Sequence, residues 1–215
     1  MAPTTAEADE RLAIGHALDR LWSETMGLEE GDRKEKPLRM VADLLAREGV
    51  PYALIGGVAV QMNTAEPRST LDIDLAVPTY AHVPAEALRR AGFEHTGRHE
   101  HSGRWRAPGP GSLKRRTAVQ FSAEEAGIDN AIEHAEIVDL GGGTRLRLAT
   151  VADLIELKLL AAEEPQRRAS KREHDVADVL ALLEEHPALR SPTLVARLQS
   201  VRRKLLDAGL DSAPP

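Results

Sequence analysis

The sequence predicts a mixed α/β (α+β) fold, with helices at the N-terminus, a core of short strands and helices, and a helical segment at the C-terminus. Three observations carry this expectation. Short apolar strand patterns bounded by Gly or Pro recur between residues 52 and 148. From Thr150 onward the apolar residues fall at helical spacing instead. Ahead of the first strand, residues 6–28 and 37–47 also place apolar side chains at helical intervals. The boundary lies near residue 149, giving a core with N-terminal helices over 1–149 and a helical segment packed on it over 150–215.

Taken in order, the first helix carries Leu12, Ala13, Ala17, Leu18, Leu21 and Trp22. The charged stretch from Gly31 to Lys36 is a connector. Pro37 to Arg47 is a second helix with Leu38, Val41, Leu44 and Leu45 on one side, ended by Gly49. Tyr52 to Ile55 is a buried strand. Gly56-Gly57 makes a turn, a short helix starts at Val58, and a loop through Pro67 leads to a second strand, Leu71 to Val77. A helix from Pro84 to Ala91 stops at Gly92, and Phe93 to Thr96 is a short strand. The following segment is rich in Arg, His, Gly and Pro. It holds one further short strand (Gly103 to Ala107) and an exposed loop at Pro108 to Gly111.

Arg116 to Phe121 is a strand with Val119 and Phe121 opposite Ala118 and Gln120. A short helix or loop follows from Ala123 to Glu133. Ala135 to Leu140 and Thr144 to Leu148 then form a hairpin across Gly141-Gly142-Gly143. Thr150 caps a helix running to Ala162, with Asp153 in its first turn. Ser170 to Glu184 and Pro192 to Ala208 are further helices, and the last residues read as disordered.

At 215 residues, 42% hydrophobic and 29% charged, the chain has the composition of a soluble globular protein with a substantial core. Its six aromatic residues, two each of Trp, Tyr and Phe, leave that core to Leu, Val, Ile and Ala. A net charge of −6 argues against a protein that coats nucleic acid non-specifically, though not against a locally basic groove. The absence of cysteine excludes disulfides, thiolate metal sites and cysteine nucleophiles. No apolar run is long enough to span a bilayer and no signal peptide precedes the acidic start, so the expected location is cytoplasmic.

The chemistry concentrates between Tyr52 and Pro78. Successive strand side chains alternate faces, so Asp72 and Asp74 share one face while Leu71, Ile73 and Leu75 share the other. Two carboxylates about 7 Å apart along a strand suit a common Mg²⁺ site. Gly56-Gly57 lets backbone approach a triphosphate, with amides of the following helix nearby. The same residues also fit a plain helix-capping turn beside a solvated strand face.

On these residues the stretch resembles the nucleotidyltransferase superfamily, best known from the DNA polymerase β fold. Its pattern is a strand, G-G or G-S, a short helix, then D-x-D on the next strand, and Gly56-Gly57 and Asp72-Ile73-Asp74 fill it. Arg68-Ser69-Thr70 extends the match to R-x-T-x-D-x-D. That extension is similar to the bacterial minimal nucleotidyltransferases, which include abortive-infection toxins of type IV toxin–antitoxin pairs. Val151 to Lys158 and Lys171 to Val179 resemble the E-D-L-I-x-x-K and K-x-x-D-x-x-D helices of the toxin-like group.

The resemblance implies transfer of NMP from an NTP to a hydroxyl on RNA, such as a tRNA 3′ end, or on protein, with an antitoxin as a further partner. It implies two Mg²⁺ ions on Asp72 and Asp74, and nucleotide binding by Gly56, Gly57, Arg68, Thr70 and Lys158, with Asp175 holding the second helix. It also implies a third carboxylate on the Arg116–Phe121 strand. There the sequence has Val119-Gln120-Phe121, and Gln120 cannot serve as a general base. Glu124 and Glu125 follow that strand as substitutes. Two other functions stay open: a small-molecule (antibiotic) nucleotidyltransferase using the same site, and a non-catalytic relative that binds nucleotide or a partner.

A basic stretch from Arg98 to Arg116 contains Trp105, which could stack on a base, or it is a solvated loop. His95, His99 and His101 lack tetrahedral zinc spacing and read as loop histidines. Lys158, beside Leu154, Ile155, Leu157 and Leu159, is either a cation awaiting an anion or a snorkelling lysine.

Overall fold

The structure is a computed structural model, and it describes residues 6, 34–65, 70, 72–98 and 102–211. The N-terminal helix expected over residues 6–28 therefore lies outside the described residues, apart from Ala6. So do Arg68, Leu71, His99, His101 and the last four residues.

Among the described residues, seven α-helices and seven strands follow in the order α1 (Glu35–Arg47), β1 (Ala53–Ile55), α2 (Gly56–Met62), β2 (Asp72–Ala76), α3 (Ala85–Arg90), β3 (Glu94–Arg98), β4 (Ser102–Arg106), β5 (Ala118–Ser122), α4 (Ile128–Glu133), β6 (Glu136–Asp139), β7 (Arg145–Leu148), α5 (Val151–Glu163), α6 (Ala169–Glu185) and α7 (Pro192–Asp211). Most ends lie within two residues of the sequence expectation, the usual fraying range. One difference bears on the site: the expected Gly56-Gly57 turn is absorbed into the helix, which begins at Gly56 itself rather than Val58.

All seven strands join one mixed sheet in the order β3-β4-β5-β2-β1-β7-β6. β2 pairs antiparallel with β1 and parallel with β5, and β1 pairs parallel with β7. The hairpins β3–β4 and β6–β7 extend the two edges. Strand alternation decides what each face does. Ile73, Leu75, Val119, Phe121 and Trp105 point to one side and are buried in the core. Asp72, Asp74, Gln120 and Arg104 point to the other. A carboxylate cannot be left unpaired in a dry interior, so this second face must be the wetter one.

α1 buries Leu38, Val41, Leu44 and Leu45 along one stripe and packs on β7 and α3. Its end is closed by Gly49 and Val50 amides donating to Ala46 and Leu45 carbonyls. At the other end of the chain, Thr150 caps α5 by accepting from the Asp153 amide at 3.2 Å. α5 then packs on α2, α4 and α6. Arg197 ties α7 to α5 through Glu156 at 2.6 Å and Glu163 at 2.7 Å. Those hydrogen bonds hold the Glu163 carboxyl below its usual range. Among the described residues no helix is long and apolar enough to cross a membrane.

Candidate active site

The centre of the sheet aligns four residues across four strands. In register, Ile55 of β1 faces Asp74 of β2, Asp74 faces Gln120 of β5, and Gln120 faces Arg104 of β4. Residues in register on adjacent strands share a face, so Asp74, Gln120 and Arg104 form a row with about 4.8 Å between strands. All three line a cleft of about 450 Å³ whose other walls come from α4, α5 and α6. Asp72 lies two residues before Asp74 on the same face and is exposed at the start of β2. Thr70 touches it from upstream, its hydroxyl donating to the Asp72 carbonyl at 3.5 Å.

Gly56 is the residue the row could not do without. Its φ of +71° lies in the left-handed region, and a Cβ built there would overlap the Asp74 carboxylate. Glycine thus lets β1 turn into α2 with the Asp74 side chain lying directly against its backbone. Gly57 is buried at the next position. Replacing Gly56 by Ala is expected to cost more than the roughly 1–2 kcal/mol of a left-handed alanine, because the methyl also displaces Asp74. A denaturant titration checks the stability loss, and an unchanged midpoint would contradict the close approach.

Lys158 reaches the cleft from α5, but two acids hold it. Its ammonium lies 2.8 Å from Asp175 and 2.8 Å from Asp178 of α6. Arg167 adds a second contact to Asp175, also at 2.8 Å. The Asp175 and Asp178 side chains are only 3% and 7% exposed, and Lys158 is 13% exposed. In such a low-dielectric pocket the carboxylates need their cations, so this cluster joins α5 to α6 beneath the cleft.

Of the two acids that follow β5, the cleft is lined by Glu125 and not Glu124. Glu124 takes a left-handed φ of 60°, which turns the chain between them. The expectation for Trp105 is corrected. It is 2% exposed and belongs to the core, because it sits on the opposite face of β4 from Arg104 and cannot stack on a base. Its ring meets His95 edge-on at 5.0 Å, with the Arg89 guanidinium 5.7 Å above it. Arg104 is the residue that sequence reasoning passed over, counting it only as one charge in a basic stretch. Its alternation with Trp105 was the available signal: once Trp105 is buried, Arg104 must face the other way.

No family model and no curated protein matches the sequence. Among solved structures, the chain is similar to an antigenic nucleotidyltransferase-like protein from Paracoccidioides brasiliensis. The TM-score is 0.54 at 18% identity, over 82% of this chain and 88% of that one. It is also similar to JHP933 from Helicobacter pylori, with a TM-score of 0.40 and 12% identity over 80% of this chain and 93% of that one. The strand, glycine corner, helix and D-x-D strand thus sit in a sheet whose architecture extends over most of both chains, and the protein has the nucleotidyltransferase-like fold.

Proposed function

We propose that this protein is a Mg²⁺-dependent nucleotidyltransferase that moves NMP from an NTP to a hydroxyl on RNA or protein. The observation that carries the reading is the row of Asp74 and Gln120 under a cleft, with Gly56 pressed against the Asp74 carboxylate. With glycine at this corner, the Asp74 carboxylate keeps the space in the cleft that a side chain at position 56 would take.

The donor set fits the metal. Asp72 and Asp74 offer hard oxygen ligands on one face, and no group of three His, Cys, Asp or Glu gathers among the described residues. Mg²⁺ commonly takes one or two carboxylates and completes its shell with water and substrate phosphates, so this pair is sufficient for one ion. When bound there, the ion would offset the negative charge that builds on the phosphate oxygens. The chain's own groups do the rest. The acceptor hydroxyl oxygen bonds to the α-phosphorus as the bond to pyrophosphate breaks, and the hydroxyl proton must go to a base.

Gln120 cannot take that proton. Glu125 lines the cleft just past the end of β5, the strand that carries Gln120, and we assign it as proton acceptor. Glu125→Gln should lower kcat by about 10²–10⁴-fold with little change in the KM for NTP. A variant with wild-type kcat would remove Glu125 from the mechanism.

The direct test incubates the protein with α-phosphate-labelled NTP, total RNA and total protein. Label should appear on one class and vanish in the Asp72→Ala, Asp74→Ala double variant. Label that survives the double variant would refute the metal assignment. The R-x-T-x-D-x-D and helix motifs favour the toxin-like group, and with it an antitoxin partner. Gln120 favours a second reading, a relative that binds nucleotide without turning it over. Calorimetry with NTP and Mg²⁺ would then show binding while no acceptor gains label.

A further inference from the structure

We infer that Arg104, with Ser102, Ser122 and Gln120, forms a phosphate-binding subsite at the β4–β5 end of the cleft. The inference rests on the proposed function only in taking this cleft as the substrate site.

Three cations line the cleft: Arg104, Lys158 and Arg167. Lys158 and Arg167 are spent on Asp175 and Asp178. Arg104 makes no ion pair among the described residues, so of the three it is the cation left to meet a ligand. Its direction is set by its neighbours. Gly103 and Trp105 are buried on the far face of β4, so the Arg104 side chain leaves on the cleft side. Its carbonyl accepts from the Thr96 hydroxyl at 3.2 Å, which fastens this stretch of β4 to β3.

The groups around it are donors. Gln120 faces Arg104 in register, and one step along the same face Ser102 faces Ser122. Both serines line the cleft. A guanidinium fork, an amide NH₂ and two hydroxyls form a neutral-to-positive patch matched to a tetrahedral oxyanion, which Arg grips with two parallel hydrogen bonds. Glu125 is the carboxylate that shares this part of the cleft. The patch also explains why position 120 is an amide. A carboxylate there would repel a phosphate held one strand away, whereas Gln120 can donate to it. With about 4.8 Å per strand, the Arg104 backbone lies about 10 Å from that of Asp74. That separation leaves room for one phosphate that a metal on Asp74 would hold and another at Arg104.

The second phosphate can come from the nucleotide's polyphosphate tail or from the backbone of a nucleic-acid acceptor. Calorimetry on the full chain in Mg²⁺ buffer distinguishes them, using inorganic pyrophosphate, ATP and an RNA oligonucleotide with and without a 5′-phosphate. Arg104→Gln should weaken binding of at least one phosphate probe by about tenfold or more. Gln120→Asp should weaken the same probe. Loss of pyrophosphate and ATP binding assigns the site to the nucleotide, and loss confined to RNA assigns it to the acceptor. Arg104→Lys keeps the charge without the fork, and it serves in the same way if the Gln variant does not fold. A wild-type chain that binds none of the probes, or an Arg104→Gln chain that binds all of them unchanged, overturns the inference. Because binding needs no turnover, absent transfer with Arg104-dependent pyrophosphate binding would sink the transferase reading and leave this one standing.

Discussion

Asp74→Asn is expected to leave the chain folded and to reduce nucleotidyl transfer by roughly 10²–10³-fold or more, the scale lost when a preorganised electrostatic group is removed from a reaction centre. The substitution keeps shape and volume, so the left-handed Gly56 still packs against it. What it removes is the negative charge in the middle of the row. Asp72→Asn should cost less, because Asp72 is exposed at the end of β2 while Asp74 lies within the cleft between Ile55 and Gln120. Initial rates with labelled NTP give both numbers. Equal losses would argue that the two acids contribute alike, and a wild-type rate in Asp74→Asn would remove Asp74 from the metal site.

Lys158→Met should appear first as lost stability. The substitution leaves Asp178 without its 2.8 Å ammonium contact and leaves Asp175 with Arg167 alone. Breaking a buried pair from one side costs about 3–5 kcal/mol because a charge stays behind in low dielectric. Lys158 keeps some access to water, so the lower end applies. In a chain of this size that is a fall in Tm of roughly 6–12 °C. Adding Asp178→Asn should recover part of it, since one fewer buried carboxylate then has to be balanced. If Lys158→Met melts with the wild type, the cluster does not join α5 to α6 as described. If it melts early yet transfers NMP normally, Lys158 is a structural cation and the phosphate contact must lie elsewhere, with Arg104 the first candidate.

Much of this was legible in the chain itself, for local reasons. Asp72 and Asp74 had to share a face once residues 71–77 were read as a strand, because side chains alternate along any strand. Gly56 marked a corner, and Thr150 with Asp153 marked the start of a helix. The alternation of Val119, Gln120 and Phe121 likewise assigned Gln120 to the wetter side. Arg104 and Trp105 were harder. Alternation says that they part company, but not which of them meets the core. A tryptophan among arginines and histidines looked solvent-facing until the sheet buried it.

The sequence by itself determined which residues stand on one face of each strand and where helices begin and end, since those depend on neighbours a few positions away. Only the tertiary structure decided what comes together. It set β2 beside β5, so that Asp74 meets Gln120 and, one strand further, Arg104. It also brought Lys158 onto Asp175, 17 residues away. Strand order and helix docking are settled by burial of apolar surface across the whole chain, and no short window of sequence contains that balance.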